Sequence, residues 1–104
     1  MDSMYYTAVD EPPTYKGGYD SLSQTIRDHW HRFNRDVNAT VWVAIVVEPD
    51  GKISNKRIER SSNFPDVDQE ALRLVDFLTE WNPAKSHGKP VPCLWYVPIK
   101  VVQE

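Results

Sequence analysis

The strand-like run KPVPCLWYVPIKV, residues 89–101, carries two prolines in its interior, Pro92 and Pro98. A proline has no N–H to donate to a neighbouring strand, so prolines within strands are confined mostly to edges, first positions and bulges. The two prolines are six residues apart and therefore lack donors on the same lateral side of the strand. The run is predicted to be an edge strand that keeps all its amide donors on one lateral side and can pair with a neighbouring strand there.

Length and charge restrict the classes of protein that this chain can belong to. At 104 residues it fits one domain with a single core. The net charge of −3 gives no global attraction to nucleic acid or to anionic lipid. The basic clusters at residues 55–60 and 85–89 are interpreted as solvated faces. Cys93 is the sole cysteine, which excludes an intrachain disulfide, and its apolar strand favours inert packing.

No apolar run approaches the roughly 20 residues of a membrane span, and the first 13 residues lack the features of a secretory signal. The chain as written is therefore expected to be soluble and without a signal peptide. The sequence leaves open whether it is a fragment of a longer, anchored protein.

The N-terminal third is predicted to hold an arm and a helix. Residues 1–18 contain prolines and glycines with little periodicity and are interpreted as an extended arm, followed by a folded domain over residues 19–104. Apolar residues then recur at helical spacing, and the helix is expected to end near Asn34. The members of this stripe are Leu22, Ile26, Trp30 and Phe33.

Two strands and a tight turn are predicted next. Residues 40–47 are rich in β-branched side chains, as in a central strand. The sequence EPDGK, residues 48–52, is typical of a type I turn with a G1 bulge. In the second strand, residues 52–60, the apolar Ile53 and Ile58 have opposite parity, which predicts a bulge between them.

A second helix is predicted over residues 66–81, with Asp66 as N-cap and Gln69 completing a capping box. Its buried stripe consists of Val67, Ala71, Leu74, Val75 and Leu78. A right-handed crossover through this helix gives the strand order 2-1-3. The predicted fold class is α+β, with a three-stranded antiparallel sheet and both helices packed on one face.

Several ordered motifs are similar to the C-terminal domain of TonB-type energy transducers. They are a DG hairpin, R-S-S, a D-x-x-A-L helix, W-x-P-A, G-x-P-V and a terminal P-I, and the stretch EPPTYKGGYDSL resembles the arm that often precedes that domain. The resemblance runs from about residue 10 to residue 102. It implies a TonB C-terminal-like fold that works in the periplasm of two-membrane bacteria.

The resemblance also implies a partner and a site. The family grips the N-terminal TonB-box peptide of an outer-membrane transporter, which adds as a strand to the last strand of the sheet and supports energy-dependent uptake. Inner-membrane motor proteins would act only through N-terminal regions that this chain lacks. The residues expected to bind the peptide are Pro92, Leu94, Trp95, Tyr96, Val97, Pro98, Lys100 and Val102.

A second candidate surface lies on the sheet face opposite the helices. Residue parity assigns Trp42, Ala44 and Val46 to this face, together with Leu94 and Tyr96. Either the N-terminal arm shields it or a partner does, and a homodimer is one expected outcome. An alternative function is therefore a stand-alone TonB-like module that binds or self-associates without transmitting force.

The sequence contains no residue pattern that supports catalysis or metal binding. His29 and His31 point in nearly opposite directions on a helix and do not converge on a metal. Acidic residues around position 66 suit a helix N-terminus, and no nucleophile pattern or phosphate loop occurs. The prediction is a non-enzymatic protein without cofactor, metal or catalytic residues. The sequence does not identify the transporter.

Overall fold

The computed structural model describes residues 5–103, so residues 1–4 of the predicted arm lie outside it. Two helices and seven strands follow one another within this range. In chain order they are β1 (Thr14–Tyr15), α1 (Gly18–His29), β2 (Val37–Val47), β3 (Ile53–Arg60), α2 (Pro65–Val75), β4 (Trp81–Asn82), β5 (Ala84–Ser86), β6 (Lys89–Val91) and β7 (Cys93–Gln103).

The main sheet is antiparallel and has the order β3-β2-β7, which confirms the predicted 2-1-3 arrangement. The predicted edge strand over residues 89–101 is divided at Pro92, because residues 89–91 form β6 and pair with β5, and only β7, which contains Pro98, lies at the edge of the main sheet. β2 pairs with β7 in one continuous register, from Val37 opposite Gln103 to Val47 opposite Cys93. Two small sheets, β1-β4 and β5-β6, accompany it. The chain is thus α+β, as predicted.

The hairpin between β2 and β3 has the predicted turn. The Gly51 amide donates to the Glu48 carbonyl at 2.9 Å, and Gly51 has φ +83°. A Cβ at this glycine would lie 2.6 Å from the Trp81 carbonyl oxygen, so only glycine fits. The predicted bulge in β3 is also confirmed, since the register shifts there and Asn55 adopts φ +53°.

The core lies between one sheet face and both helices, as predicted. Odd-numbered side chains of β2 and β7, such as Val43 and Ile99, are fully buried against Leu22 and Ile26 of α1. The predicted stripe of the second helix belongs to the same cluster: Val67, Ala71, Leu74, Val75 and Leu78. The alternate side chains of the strands and the regularly spaced apolar side chains of the helices therefore pack into one core.

The predicted helix boundaries were wrong in three places. α1 ends at His29 rather than near Asn34, because Trp30 is already extended with ψ 132°. α2 begins at Pro65, with Phe64 and not Asp66 as N-cap, and no side chain caps it. Proline suits the first helical position and keeps the residue before it extended, which fixes this start. α2 also ends at Val75, well before residue 81.

The described part of the arm follows the domain surface as a series of short pairings. Tyr15 in β1 lies opposite Trp81, and their rings meet edge to face at 5.1 Å. Further upstream, Glu11 bridges Lys85 of β5, and Tyr6 bridges Cys93 of β7. The division of the chain at residue 18 stays a prediction.

Candidate functional site

The outer edge of β7 is the side of that strand that faces away from β2. The Leu94 amide points outward, because it donates to the arm and not to β2. Backbone groups of a strand alternate sides, so every second residue shares this direction. The outward residues are Pro92, Leu94, Tyr96, Pro98, Lys100 and Val102.

One end of this edge is already paired. The Tyr6 amide donates to the Pro92 carbonyl at 2.8 Å, and the Leu94 amide donates to the Tyr6 carbonyl at 2.9 Å. We call Pro92 and Leu94 the arm-bound end of the edge. Leu94 was expected to be free to pair with a partner strand, but its amide is already bonded to the arm.

The remaining stretch, Tyr96 to Val102, is called the open end. No backbone hydrogen bond within residues 5–103 reaches the outward groups of Tyr96, Lys100 or Val102. Pro98 lies between them and offers only its carbonyl. An extended chain placed along the open end can therefore pair with a row of outward amides and carbonyls in which a single amide, that of Pro98, is missing.

A groove accompanies the open end, with α1 as its far wall. Two adjoining cavities of about 370 and 300 Å³ form it, and both are lined by Tyr19 and Pro98. The first extends along Ser23, Ile26, Arg27, Trp30, Lys100 and Val102. The second extends over Leu22, Trp81, Trp95, Tyr96 and Val97, and over β1 and its flanking residues. Unpaired backbone thus borders a partly apolar channel.

The charge of the groove differs from that of the whole chain. Arg27 and Lys100 line the first cavity, and Arg27 with Arg32 lines a neighbouring one of about 390 Å³. No aspartate or glutamate lines any of these three cavities. The groove is locally positive on a chain whose net charge is −3.

The loop that carries Trp30 is fastened by two buried polar side chains. Gln103, at the end of β7, accepts from the Phe33 amide at 2.8 Å and donates to the Phe33 carbonyl at 2.7 Å. Glu70 accepts from the His31 amide at 2.7 Å and from Arg73. Gln103 thereby joins this wall of the groove to β7, and Glu70 joins it to α2.

The Glu70 carboxyl is ionised in this setting. Burial opposes its ionisation, but the hydrogen bonds from Arg73 and from the His31 amide outweigh burial and hold the pKa of Glu70 below its ordinary value. A charged carboxylate is therefore part of the loop's anchor.

The predicted peptide-binding residues divide into three groups, of which Pro92 and Leu94 form the arm-bound end. Tyr96, Lys100 and Val102 are exposed on the open end, and Pro98 is half-buried there. Trp95 and Val97 have backbones that face β2 and side chains on the helix side, where Val97 is only 2 % exposed. The structure therefore brings the open-end group together along the edge, while Trp95 and Val97 lie behind it.

The second candidate surface is much smaller than expected. Ala44 and Val46 are 0 and 1 % exposed, so the described chain buries both, and only Trp42 of the predicted three is exposed. Trp42 and Tyr96 border a shallow groove of about 480 Å³ with Glu59 and Arg60. The described chain itself therefore covers the part of this face that holds Ala44 and Val46, and a second surface at Trp42 stays a prediction.

Sequence reasoning missed three residues that shape the site: Tyr6, Glu70 and Gln103. Glu70 and Gln103 occur at core-facing positions, and a polar residue in an apolar pattern is a recognisable signal of a buried hydrogen bond. Tyr6 pairs through its backbone alone, which leaves no trace in the sequence.

Cys93 is 1 % exposed, and burial raises the pKa of its thiol. Searching residues 5–103 for three or more potential ligands close enough to hold a metal finds none. In the same residues, no helix is both long and apolar enough to cross a membrane. What the arrangement offers chemically is backbone pairing beside a groove.

Comparison with protein families finds a match that covers more than half of the chain. The family model described as Gram-negative bacterial TonB protein C-terminal matches residues 34–100, which run from the loop before β2 into β7. Neither a curated protein nor a solved structure matches the chain.

Proposed function

The chain belongs to the family of Gram-negative bacterial TonB protein C-terminal domains, and from this premise we propose that it binds the TonB-box peptide of an outer-membrane transporter. The peptide adds as a strand to the open end of the β7 outer edge. The domain then works in the periplasm and takes part in energy-dependent uptake.

The unpaired backbone of Tyr96, Lys100 and Val102 is the observation that carries this proposal. Unpaired strand edges are templates for another chain, and strand addition uses backbone bonds for affinity and side-chain pockets for selectivity. The groove between β7 and α1 supplies such pockets at the required place.

Pro98 restricts how the peptide pairs. It removes one donor from the middle of the open end, so the peptide residue opposite Pro98 makes no bond to that nitrogen. Registers that place a peptide carbonyl there leave an acceptor unsatisfied, which costs about 1–3 kcal/mol if water is excluded. The interrupted edge therefore selects among registers.

The role in transmitting force rests on family membership. We infer that inner-membrane motor proteins act on this domain from its N-terminal side, where the family carries its anchor and linker. The peptide-gripping function does not depend on that inference.

One observation favours the alternative function, a module that self-associates without transmitting force. Trp42 and Tyr96 are 37 and 42 % exposed on the same sheet face, beside the open end. Two copies pairing edge to edge would bring these rings together.

Calorimetric titration with TonB-box peptides of transporters encoded in the same genome tests the proposal. Lys100→Pro removes an outward amide and is expected to weaken binding about tenfold, the upper range for one lost hydrogen bond. Lys100→Ala keeps the amide and serves as the matched control. Equal affinities of the two variants, or no binding by the unmodified chain, would refute strand addition at this edge.

A further inference from the structure

Tyr6, which we call the tip of the described part of the arm, pairs with β7 in the manner of an added strand. Tyr6 bridges Cys93 in parallel and makes two backbone hydrogen bonds, of 2.8 and 2.9 Å, with Pro92 and Leu94. We propose that Tyr6 is a resident strand that occupies the arm-bound end of the edge and yields it to an incoming peptide strand. The second half of this proposal rests on the proposed function.

The arm is attached more weakly at its tip than at its root. Near the root, Tyr15 is only 8 % exposed and packs on Trp81, and the Lys16 amide donates to the Glu80 carbonyl at 2.8 Å. At Tyr6 the side chain is 45 % exposed, so it is much less buried than that of Tyr15, and among the described residues two backbone bonds join Tyr6 to the edge. Segments with few buried contacts open first.

The middle of the arm keeps the tip close to the edge after it opens. Glu11 and Lys85 exchange two backbone hydrogen bonds, of 2.9 and 3.1 Å, and the Asp10 carboxylate accepts from the His87 amide at 2.7 Å. A short tether gives the tip a high effective concentration at the edge. An incoming strand must therefore compete with Tyr6 for Leu94.

The arm consequently sets the length of the peptide site. While Tyr6 is bound, a peptide pairs only with the open end, Tyr96 to Val102. When Tyr6 leaves, the site gains the Leu94 amide and the Pro92 carbonyl. A peptide can use these two groups only while the arm is detached. Its apparent affinity equals the intrinsic affinity multiplied by the fraction of time that the arm is detached.

Hydrogen exchange of the Leu94 amide in the full chain tests the resident strand directly. Tyr6→Pro removes the Tyr6 donor, while Tyr5→Pro makes the same change one residue earlier and keeps that donor. We expect the Leu94 amide to exchange about tenfold faster in Tyr6→Pro and at the unmodified rate in Tyr5→Pro. Unchanged exchange in Tyr6→Pro, or equal acceleration in both variants, would overturn the proposal.

A synthetic peptide with the sequence of residues 1–12 tests whether the end accepts a strand in trans. The expected result is that it slows Leu94 exchange in the Tyr6→Pro chain and has little effect on the unmodified chain, whose own arm competes. A peptide that leaves Leu94 exchange unchanged in Tyr6→Pro would contradict the competition.

The exchange measurements on Leu94 do not use a transporter peptide, so they can fail or succeed separately from the proposed function. If TonB-box peptides fail to bind but the exchange results hold, the proposed function is wrong and the resident strand stands. If those peptides bind while Tyr6→Pro leaves the Leu94 amide protected, the proposed function stands and the resident strand is wrong.

Discussion

The main sheet has two outer edges, and they differ in regularity. β3 pairs with β2 through two register shifts, and Asn55 interrupts it with a positive φ. β7 pairs with β2 over eleven residues without a shift. Bulges and charged side chains blunt an edge against further pairing, and β3 carries both. The β7 edge is regular, and Pro98 interrupts its row of outward donors without shifting the register.

The supports of the two edges also differ. Lys56 of β3 extends to Asp76 at 2.6 Å and to the Leu72 carbonyl, which are contacts at the surface. The two buried polar side chains among the described residues, Glu70 and Gln103, both fix the loop beside β7. The β7 edge thus combines an unshifted register with a loop beside it that these two side chains hold by hydrogen bonds, and in the described part of the chain the β3 edge has neither.

The largest expected effect tests which side of β7 is free. Ile99→Pro removes a buried side chain and an amide directed at β2, so we expect a loss of about 3 kcal/mol or more in unfolding free energy. Lys100→Pro removes an outward amide and should cost less than about 1 kcal/mol. Denaturant unfolding measures both. Equal losses would mean that the Lys100 amide is not on the free side.

The wall of the groove gives the next largest effect. Gln103→Ala leaves the Phe33 amide and the carbonyls of Phe33 and Arg35 without their partner, which should cost about 1–3 kcal/mol. On β3, Glu59→Ala breaks an exposed pair with Arg57 and should cost no more than about 0.5 kcal/mol. Similar losses from the two variants would contradict the difference in support.

Acid should lower the stability of the protein through Glu70, which anchors the loop beside β7. The folded pKa of this carboxyl lies below its unfolded value, so its contribution to stability is present above about pH 4.3 and is lost as pH falls through the folded pKa. Glu70→Gln should be less stable at pH 7 and lose less on acidification. Thermal unfolding between pH 7 and pH 3 measures this, and parallel pH profiles of the two proteins would contradict it.

Self-association is expected to show the smallest effect. If two copies pair through β7, Tyr96→Lys places a charge beside the pairing line and should shift sedimentation toward monomer. Glu59→Lys places a positive charge at an exposed position of β3 and should leave association unchanged. A strictly monomeric profile of the unmodified chain at the highest concentration would remove the self-association alternative.

Local rules predicted the parts of the fold that depend on neighbouring residues. The edge position of β7 followed from Pro92 and Pro98, and the hairpin followed from Gly51 and its neighbours. The buried stripe of α2 followed from spacing alone. The family resemblance added the expectation that a peptide binds at the sheet edge, and the match to residues 34–100 confirms the family.

Other parts depend on distant contacts and were beyond the sequence. Trp30 and Phe33 continue a helical spacing, yet they pack against the core from a loop that Gln103 holds 70 residues away. Leu78 is buried two residues beyond the Asp76 C-cap, so an apolar stripe does not mark where a helix ends. The pairing of Tyr6 with Leu94 uses backbone only and has no side-chain pattern.

An NMR titration of the full chain with TonB-box peptides tests the central claim that partners add at the β7 edge. We expect saturable amide shifts at Tyr96, Lys100 and Val102 and along the facing side of α1, with the β3 amides, residues 53–60, unchanged. Shifts that cluster on β3 and spare residues 96–102 would contradict it.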